Sequence, residues 1–373
     1  MMYKIIITYI ICLMLLLFLL GYVAAPILCY AEGWKTFYYD SYYCSLMLSS
    51  YGTIGTIKAF LLQFFAHPYH GMVVITLLLL VFMAAINCIL LRFMKKVYAC
   101  IMSAIICIIS AISLISWLGN ISPKYLLGIK SDEEKSRYIY MRLNNCVRHQ
   151  QWDDIITICN ENSPVNNLLH QNCLNMALAE KELLGEKLLD QPVRDINSIY
   201  VTNIQTAEVA GLLSDVYFSF GHIAQSQRYA FETNEKMNNL SPRMLQRLVE
   251  TNLIYGQKEV ADKYLSVLSK TLYYKDWSPS EKLIAEKKKC LFDDNRFSGI
   301  KGLDDDLLHV ARNTRGTHQC RVTLQYLGSL YILAGYDSLF VKMANEFCGS
   351  KDLSKPMPQY FQSYYNHLTK KKQ

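Results

Sequence analysis

Acidic residues are almost missing from the first third of this 373-residue chain. Residues 1–118 hold two, Glu32 and Asp40, against six basic residues: Lys4, Lys35, Lys58, Arg92, Lys95 and Lys96. The remainder carries the other 32 basic and 29 acidic residues. That near balance removes any reason to expect nucleic acid as a partner, despite the net charge of +7. Paired cysteines are absent as well. None of the 12 cysteines forms a C-x-x-C, which argues against zinc and thioredoxin-like chemistry. Six of them (12, 29, 44, 88, 100, 107) lie in or near apolar runs, and the others (146, 159, 173, 290, 320, 348) read as buried single residues on helix faces, with disulfides among them the alternative in an oxidising periplasm. There is no G-x-x-x-x-G-K-[ST] loop, no G-x-S-x-G elbow and no H-E-x-x-H helix. Gly52-Thr53-Ile54-Gly55 is too short and too apolar to cradle phosphate. Asp304-Asp305-Asp306, after Gly302, reads as a solvated helix start. No catalytic, cofactor-binding or metal-binding residue is assigned, and no cofactor is expected.

What the first third does hold is three apolar runs, at about 5–30, 72–91 and 97–118. At ~1.5 Å rise per residue each spans a hydrocarbon core of ~30 Å. The first is longer than the ~7–15 residues of a signal sequence, so it reads as a retained anchor. The third has Ser103, Cys107, Ser110 and Ala111 along one side, which permits close helix packing. The second has one strong polar group, Asn87, suited to a packing or headgroup contact. Arg92–Lys96 forms a short basic loop that stays cytoplasmic. The N-terminus is then cytoplasmic, and 31–71 and everything after 118 lie outside. The expected location is a bacterial inner membrane, multi-pass, with a periplasmic C-terminal domain. The apolar piece 55–66 is too short for a fourth span and reads as an interfacial or re-entrant helix.

Residues 31–71 collect Glu32, Trp34, Asp40, tyrosines 38, 39, 42, 43 and 51, and His67-Pro68-Tyr69-His70. An aromatic belt at the bilayer surface is the first reading. A small polar site, with His67 and His70 as metal ligands or proton carriers, is the second; Pro68 works against one regular helix bearing both.

Residues 119–131 read as a connector, and 132–370 as a soluble, all-α, TPR-like helical-repeat domain, an α-solenoid. Ser131 is placed to cap its first helix. The organising stretch is Gln205–Trp277. Val209, Leu212, Leu213, Val216, Tyr217 and Phe220 make one helical stripe, which Gly221 ends. Ser241-Pro242 opens another helix, continued by Leu245, Leu248 and Val249 and ended by Gly256. Val260, Ala261, Tyr264, Leu265 and Leu268 form the next stripe, and Ser278-Pro279 opens one more. Turns near Gln151-Trp152, Gly185, Gly221 and Gly256 recur at about the 34-residue TPR period, and Asp294-Asn295 and Gly335 continue at about 40. Ser226 and Ala261 fall where such pairs need a small residue. Ser163-Pro164 repeats the Ser-Pro start, and 190–203 and 293–306 interrupt the pattern. Asn252 lies within an apolar stripe and is expected to bridge helices.

Several runs resemble an uncharacterised family of Bacteroidota membrane proteins, a domain of unknown function. They are Phe60-Leu61-Leu62-Gln63-Phe64-Phe65 with Pro68 and Gly71, Gln151–Ile156, Asn175–Ala179, Arg247–Gly256 with Ala261 and Lys263-Tyr264, Lys270–Trp277, and Tyr326–Tyr331. The resemblance runs from about Trp34 to most of the chain, beside a membrane part shorter than members usually have. It implies N-terminal transmembrane helices with a TPR-like tail, and no activity or site residue. The expected function is a membrane-anchored scaffold or binding module whose helical surface holds a protein or peptide partner. The alternative is a membrane enzyme or transport component with a polar site in 31–71, covered by the tail.

Overall fold

Apolar runs of twenty or more residues leave the backbone no partner but itself, and each of the three folds as a helix. The structure is a computed structural model that describes residues 2–129, 131–163, 165, 167–190, 194–200, 206–292, 302–347 and 357–370. Pro164, residues 201–205, Asp294-Asn295, Cys348 and the terminal 371–373 lie outside the described residues. Among the described residues all regular structure is helical, and one isolated bridge pairs Tyr38 with Thr271. The chain divides into two compact units. The first contains Met1–Asn145, Leu240–Pro242 and Ser269–Asp276; the second contains Cys146–Asn239, Arg243–Leu268 and Trp277–Gln373.

In the first unit α1 (Met2–Phe18) passes through a π-helical turn, Leu19–Ala24, into α2 (Ala25–Trp34). Pro26 explains the turn. It lacks an N–H and its ring crowds the preceding turn, so the ladder widens, with Ala25 N–H donating to Leu20 O. The apolar helix runs Ile5–Trp34, four residues past its expected end. Next is α3 (Ser41–Leu62), broken at Gly52, whose φ of 67° and ψ of 176° are not helical. The piece expected as one helix over 55–66 is therefore the second arm of α3 followed by a 3-10 turn, Gln63–Ala66. Then come α4 (Pro68–Leu90), α5 (Lys96–Gly119), the short α6 (Pro123–Leu126) and most of α7 (Asp132–Arg148).

Three helices are long and apolar enough to cross a membrane: Ile5–Trp34, Pro68–Leu90 and Lys96–Gly119. They pack through a shared apolar core that includes Leu16, Leu20, Leu79, Met83, Cys107 and Ile115. The small face of α5 is turned into it, with Ser103, Ala104, Cys107 and Ala111 buried. Asn87 near the end of α4 donates to the Tyr9 hydroxyl midway along α1 (3.3 Å), and Cys100 near the start of α5 lies 4.0 Å from Ile5 O. The chain's beginning thus shares one end of the bundle with the 91–95 turn, and α4 runs opposite to the other two.

The second unit holds α8 (Trp152–Glu161), α9 (Leu168–Glu180), the one-turn α10 (Leu184–Lys187), α11 (Ala207–Ser219), α12 (Ile223–Lys236), α13 (Pro242–Ile254) from Arg243 onward, and α14 (Lys258–Leu268). It continues with α15 (Glu281–Lys288), α16 (Leu303–Asn313), α17 (His318–Ala334), α18 (Asp337–Phe347) and α19 (Gln359–Lys370). Helix pairs α8/α9, α11/α12 and α16/α17 pack as hairpins. Gly221, Gly256 and Gly335 follow helices at φ of 90°, 76° and 69°, a conformation that costs a side chain 1–2 kcal/mol or so. Ser214 and Ser226 each donate a hydroxyl to the other's carbonyl at 2.8 Å, so the small residue does bring α11 and α12 close. Ser131 caps α7 from the sequence position expected, accepting from Glu134 N–H.

Four local expectations are corrected. Gly185 lies inside α10, and the turn before it is made at Glu182, which has a φ of 61°. The Ser278-Pro279 start moves on to Ser280, which accepts from Leu283 N–H and caps α15. Asn252 is buried, but its amide donates to Leu248 O one turn back (2.6 Å), so it braces its own helix rather than bridging to another. Finally, contacts are not confined to successive helix pairs. Helix α17 packs on α9 and α10, with Gly185 N–H donating to Gln325 and Arg321 to Glu182 across about 140 positions of chain. A nearest-neighbour solenoid makes no such contacts. The all-α class stands, and the helical array is tied back on itself.

Candidate functional site

Two places concentrate polar groups, one within each unit. In the first unit, Asp40, His67 and His70, the polar residues of 31–71 singled out from sequence, are used separately. Asp40 is the N-cap of α3, accepting from Tyr42 N–H (3.0 Å) and Tyr43 N–H (3.3 Å). His67 precedes Pro68 and caps α4 without a side-chain bond. Its ring meets His70 (centroids 5.2 Å apart) and Tyr273 (5.3 Å), and both histidines are exposed. Asp40 is therefore occupied apart from the two histidines. Among the described residues no three His, Cys, Asp or Glu side chains are grouped to hold a metal ion.

Glu32, to which the sequence assigned no role of its own, is the buried acid of this segment. It is fully buried at the end of the first apolar helix, and the Tyr274 hydroxyl reaches both carboxylate oxygens, at 2.7 and 2.6 Å. Tyr38 beside it is equally buried, and its hydroxyl donates to Leu240 O (3.1 Å). Burial first, with the neighbouring Tyr51, Tyr274 and Glu32 adding, pushes the Tyr38 phenol well above its ordinary range. Ser241 donates to Gly33 O, and Tyr39 N–H to Lys270 O. The residues that close this part of the first unit come from 240–242 and 269–276, over 200 positions away in sequence.

In the second unit the C-terminal turn of α11 is the centre. Its last carbonyls have no intrahelical donor and need outside partners. Lys287 Nζ supplies Phe218 O (2.5 Å) and Ser219 O (3.3 Å), Gln319 Nε2 supplies Ser219 O (2.8 Å), and Thr323 Oγ1 supplies Phe220 O (3.0 Å). A buried cation at a helix C-terminus also answers the helix dipole. Burial still pushes the Lys287 amine below its ordinary range. Around it, Asp215 of α11 accepts from Arg243 (2.6 Å) and Arg247 (3.0 Å), and Arg247 also reaches Glu250 (2.8 Å). The Arg247 guanidinium lies 3.6 Å from the Phe218 ring centroid. Burial, with Asp215 adding, raises the Glu250 carboxyl above its usual range although Arg247 opposes it.

The network extends through Ser219, which donates to Glu180 (2.7 Å). His318 sits between Glu180 and Glu182, 3.3 Å from each, and Arg321 binds Glu182 at 2.7 Å. Burial alone would raise Glu180; hydrogen bonds from His318 and Ser219 with the Lys287 charge outweigh it and hold the carboxyl below its usual range. His318 is held above its ordinary value, chiefly by its hydrogen bond to Glu180. Separately, His222 Nδ1 accepts from Gln225 N–H, so Nε2 carries the proton toward Asp306, 3.0 Å away. That carboxylate belongs to the acidic first turn of α16, which does follow Gly302. The described cysteines are free thiols, and burial pushes Cys159 up to about 12, which leaves it a poor nucleophile. Every ionised group of this core is bound to a helix end or an opposite charge, an arrangement that holds helices in register.

The chain belongs to a family of unknown function, DUF6057, whose model matches residues 93–365. The match takes in the third apolar helix and the whole network around α11, including the Arg247–Gly256 run. No curated protein and no solved structure matches the chain.

Proposed function

We propose that this protein is a membrane-anchored helical scaffold that binds a protein or peptide partner on the faces of its helix pairs. In this reading three apolar helices hold it in a bacterial inner membrane, and the all-helical C-terminal domain stands in the periplasm. The observation that carries the proposal is the use made of the polar groups. Asp215, Arg243, Arg247 and Lys287 are spent on helix ends and on each other, which suits a rigid surface better than a reaction centre. Asp40 is a helix cap and the two histidines are exposed, which favours the scaffold over a reaction centre built on those three residues. Outward apolar side chains on the helix pairs, Phe231, Val260 and Tyr336 among them, offer contact positions. The test is photo-crosslinking of the full chain in intact membranes, with a benzophenone side chain placed at each position in turn. A discrete protein adduct at some positions and not at others is the expected result. Adducts to lipid alone, or none at any position, would overturn the scaffold reading.

A further inference from the structure

The first unit contains a pair of half-buried lysines, Lys35 and Lys58, that make no ion pair among the described residues. Lys35 is the C-cap of α2, and its Nζ lies 3.5 Å from the Tyr51 ring centroid. Lys58, on the second arm of α3, donates to the Asn120 side-chain oxygen (2.7 Å) and lies 6.0 Å from the Trp117 ring. Asn120 ends α5 in the left-handed conformation (φ of 51°), which asparagine tolerates. Phe37 and Phe60, with ring centroids 5.4 Å apart, add apolar surface beside the two.

The acids that might neutralise this pair are engaged elsewhere. Residues 1–118 have two, and Glu32 is held by Tyr274 while Asp40 caps α3. Among the described residues neither lysine makes an ion pair. The partners they do have, two ring faces and an amide oxygen, carry partial negative charge only. Those partners fix two ammonium groups in place without cancelling them. Both lysines sit where apolar helices end, α2 at Trp34 and α5 at Gly119, with Trp117 alongside. That is the level of a bilayer at which tryptophan and lysine meet lipid headgroups.

We propose that Lys35 and Lys58 together bind a phosphate-bearing anion, the headgroup of an anionic phospholipid, with the Trp117, Phe37 and Phe60 rings against its acyl end. The state of the amines fits a site for an anion. Burial pushes both below the ordinary lysine value, and for Lys58, brought to about 8, repulsion from Lys35 adds to it. A bound phosphate would reverse that repulsion and provide charge-assisted hydrogen bonds for both.

The test uses the full chain in mild detergent, read by native mass spectrometry with added phosphatidylglycerol or phosphatidylcholine. The wild type is expected to retain phosphatidylglycerol preferentially. Lys35→Gln/Lys58→Gln should lose that preference by roughly tenfold or more, the scale of one lost charge-assisted bond. Lys35→Arg/Lys58→Arg should keep it, and helicity measured by circular dichroism controls for folding. Inorganic phosphate in a parallel titration separates the sources. Displacement of the lipid at micromolar phosphate would overturn the headgroup assignment in favour of a soluble anion. Equal retention of both lipids, or a preference unchanged in the folded Gln variant, would overturn the site itself.

Discussion

Asp215 accepts from two arginines in the interior of the second unit, so its charge is what keeps theirs tolerable there. Asp215→Asn leaves Arg243 and Arg247 facing an amide. Breaking one side of a buried ion pair costs about 3–5 kcal/mol. Chemical denaturation of the full chain should show a loss of that size, and a change below about 0.5 kcal/mol would mean that the network is not integral to the fold. The neighbouring His318–Glu180 pair makes a pH prediction. Its sign follows from the two shifts. His318 is raised in the folded chain, so its contribution is complete below the ordinary imidazole value of 6.5 and is lost as pH rises through the folded value. Glu180 is lowered, so its contribution is present above the ordinary carboxyl value of 4.5 and is lost as pH falls through the folded value. Thermal stability should therefore fall on both flanks, and His318→Gln should flatten the alkaline flank and, because His318 is the first of the groups that hold Glu180 down, weaken the acid one as well. An alkaline flank of the same slope in that variant would count against the pair.

At the scale of elements, α19 is seated by the absence of side chains beneath it. A Cβ on Gly328 of α17 would come within 2.5 Å of the Phe361 ring, and one on Gly185 of α10 within 3.0 Å. Gly328→Ala should push α19 off its seat and cost roughly 1–3 kcal/mol, the range for overpacking. Limited proteolysis should then cut near α19 faster than in the wild type, and Phe361→Leu should partly restore resistance. Unchanged proteolysis in Gly328→Ala would show that α19 yields without cost. Much of the element level was legible beforehand. Long apolar runs have one backbone solution in a membrane, and Gly221, Gly256 and Gly335 mark positive φ because other residues avoid it. The polar core was not legible. Arg247 and Lys287 on helices read as solvated charges, and their partners lie 32 and 69 positions away, where periodicity carries no information. Ser278 and Ser280 offer the same local cap, and only the start of α15 distinguishes them. Asn252 looked like an interhelical bridge because a stripe position shows burial and not the direction in which an amide turns.

For the whole molecule, orientation is the first question. The 91–95 turn, bearing Arg92 and Lys95, shares an end of the bundle with the chain's beginning. If basic loops stay inside, a phosphatase fused after Gln373 should be active, and a fluorescent protein that matures only in the cytoplasm should remain dark there. The reverse pair of results would place the C-terminal domain in the cytoplasm.

The membership of 240–242 and 269–276 in the first unit bears on how the protein is made. Synthesis is vectorial, and the three apolar helices emerge long before Leu240, Tyr274 and Asp276. Until that late portion is translated, Glu32 lacks the Tyr274 hydroxyl and Tyr38 the Leu240 carbonyl, so the first unit waits half-finished. A ribosome that stalls, or a nonsense mutation, between Gly119 and Leu240 would leave the three apolar helices made and both of those bonds missing. Closure of the first unit thus depends on residues up to 276, a dependence written into the connectivity of the chain.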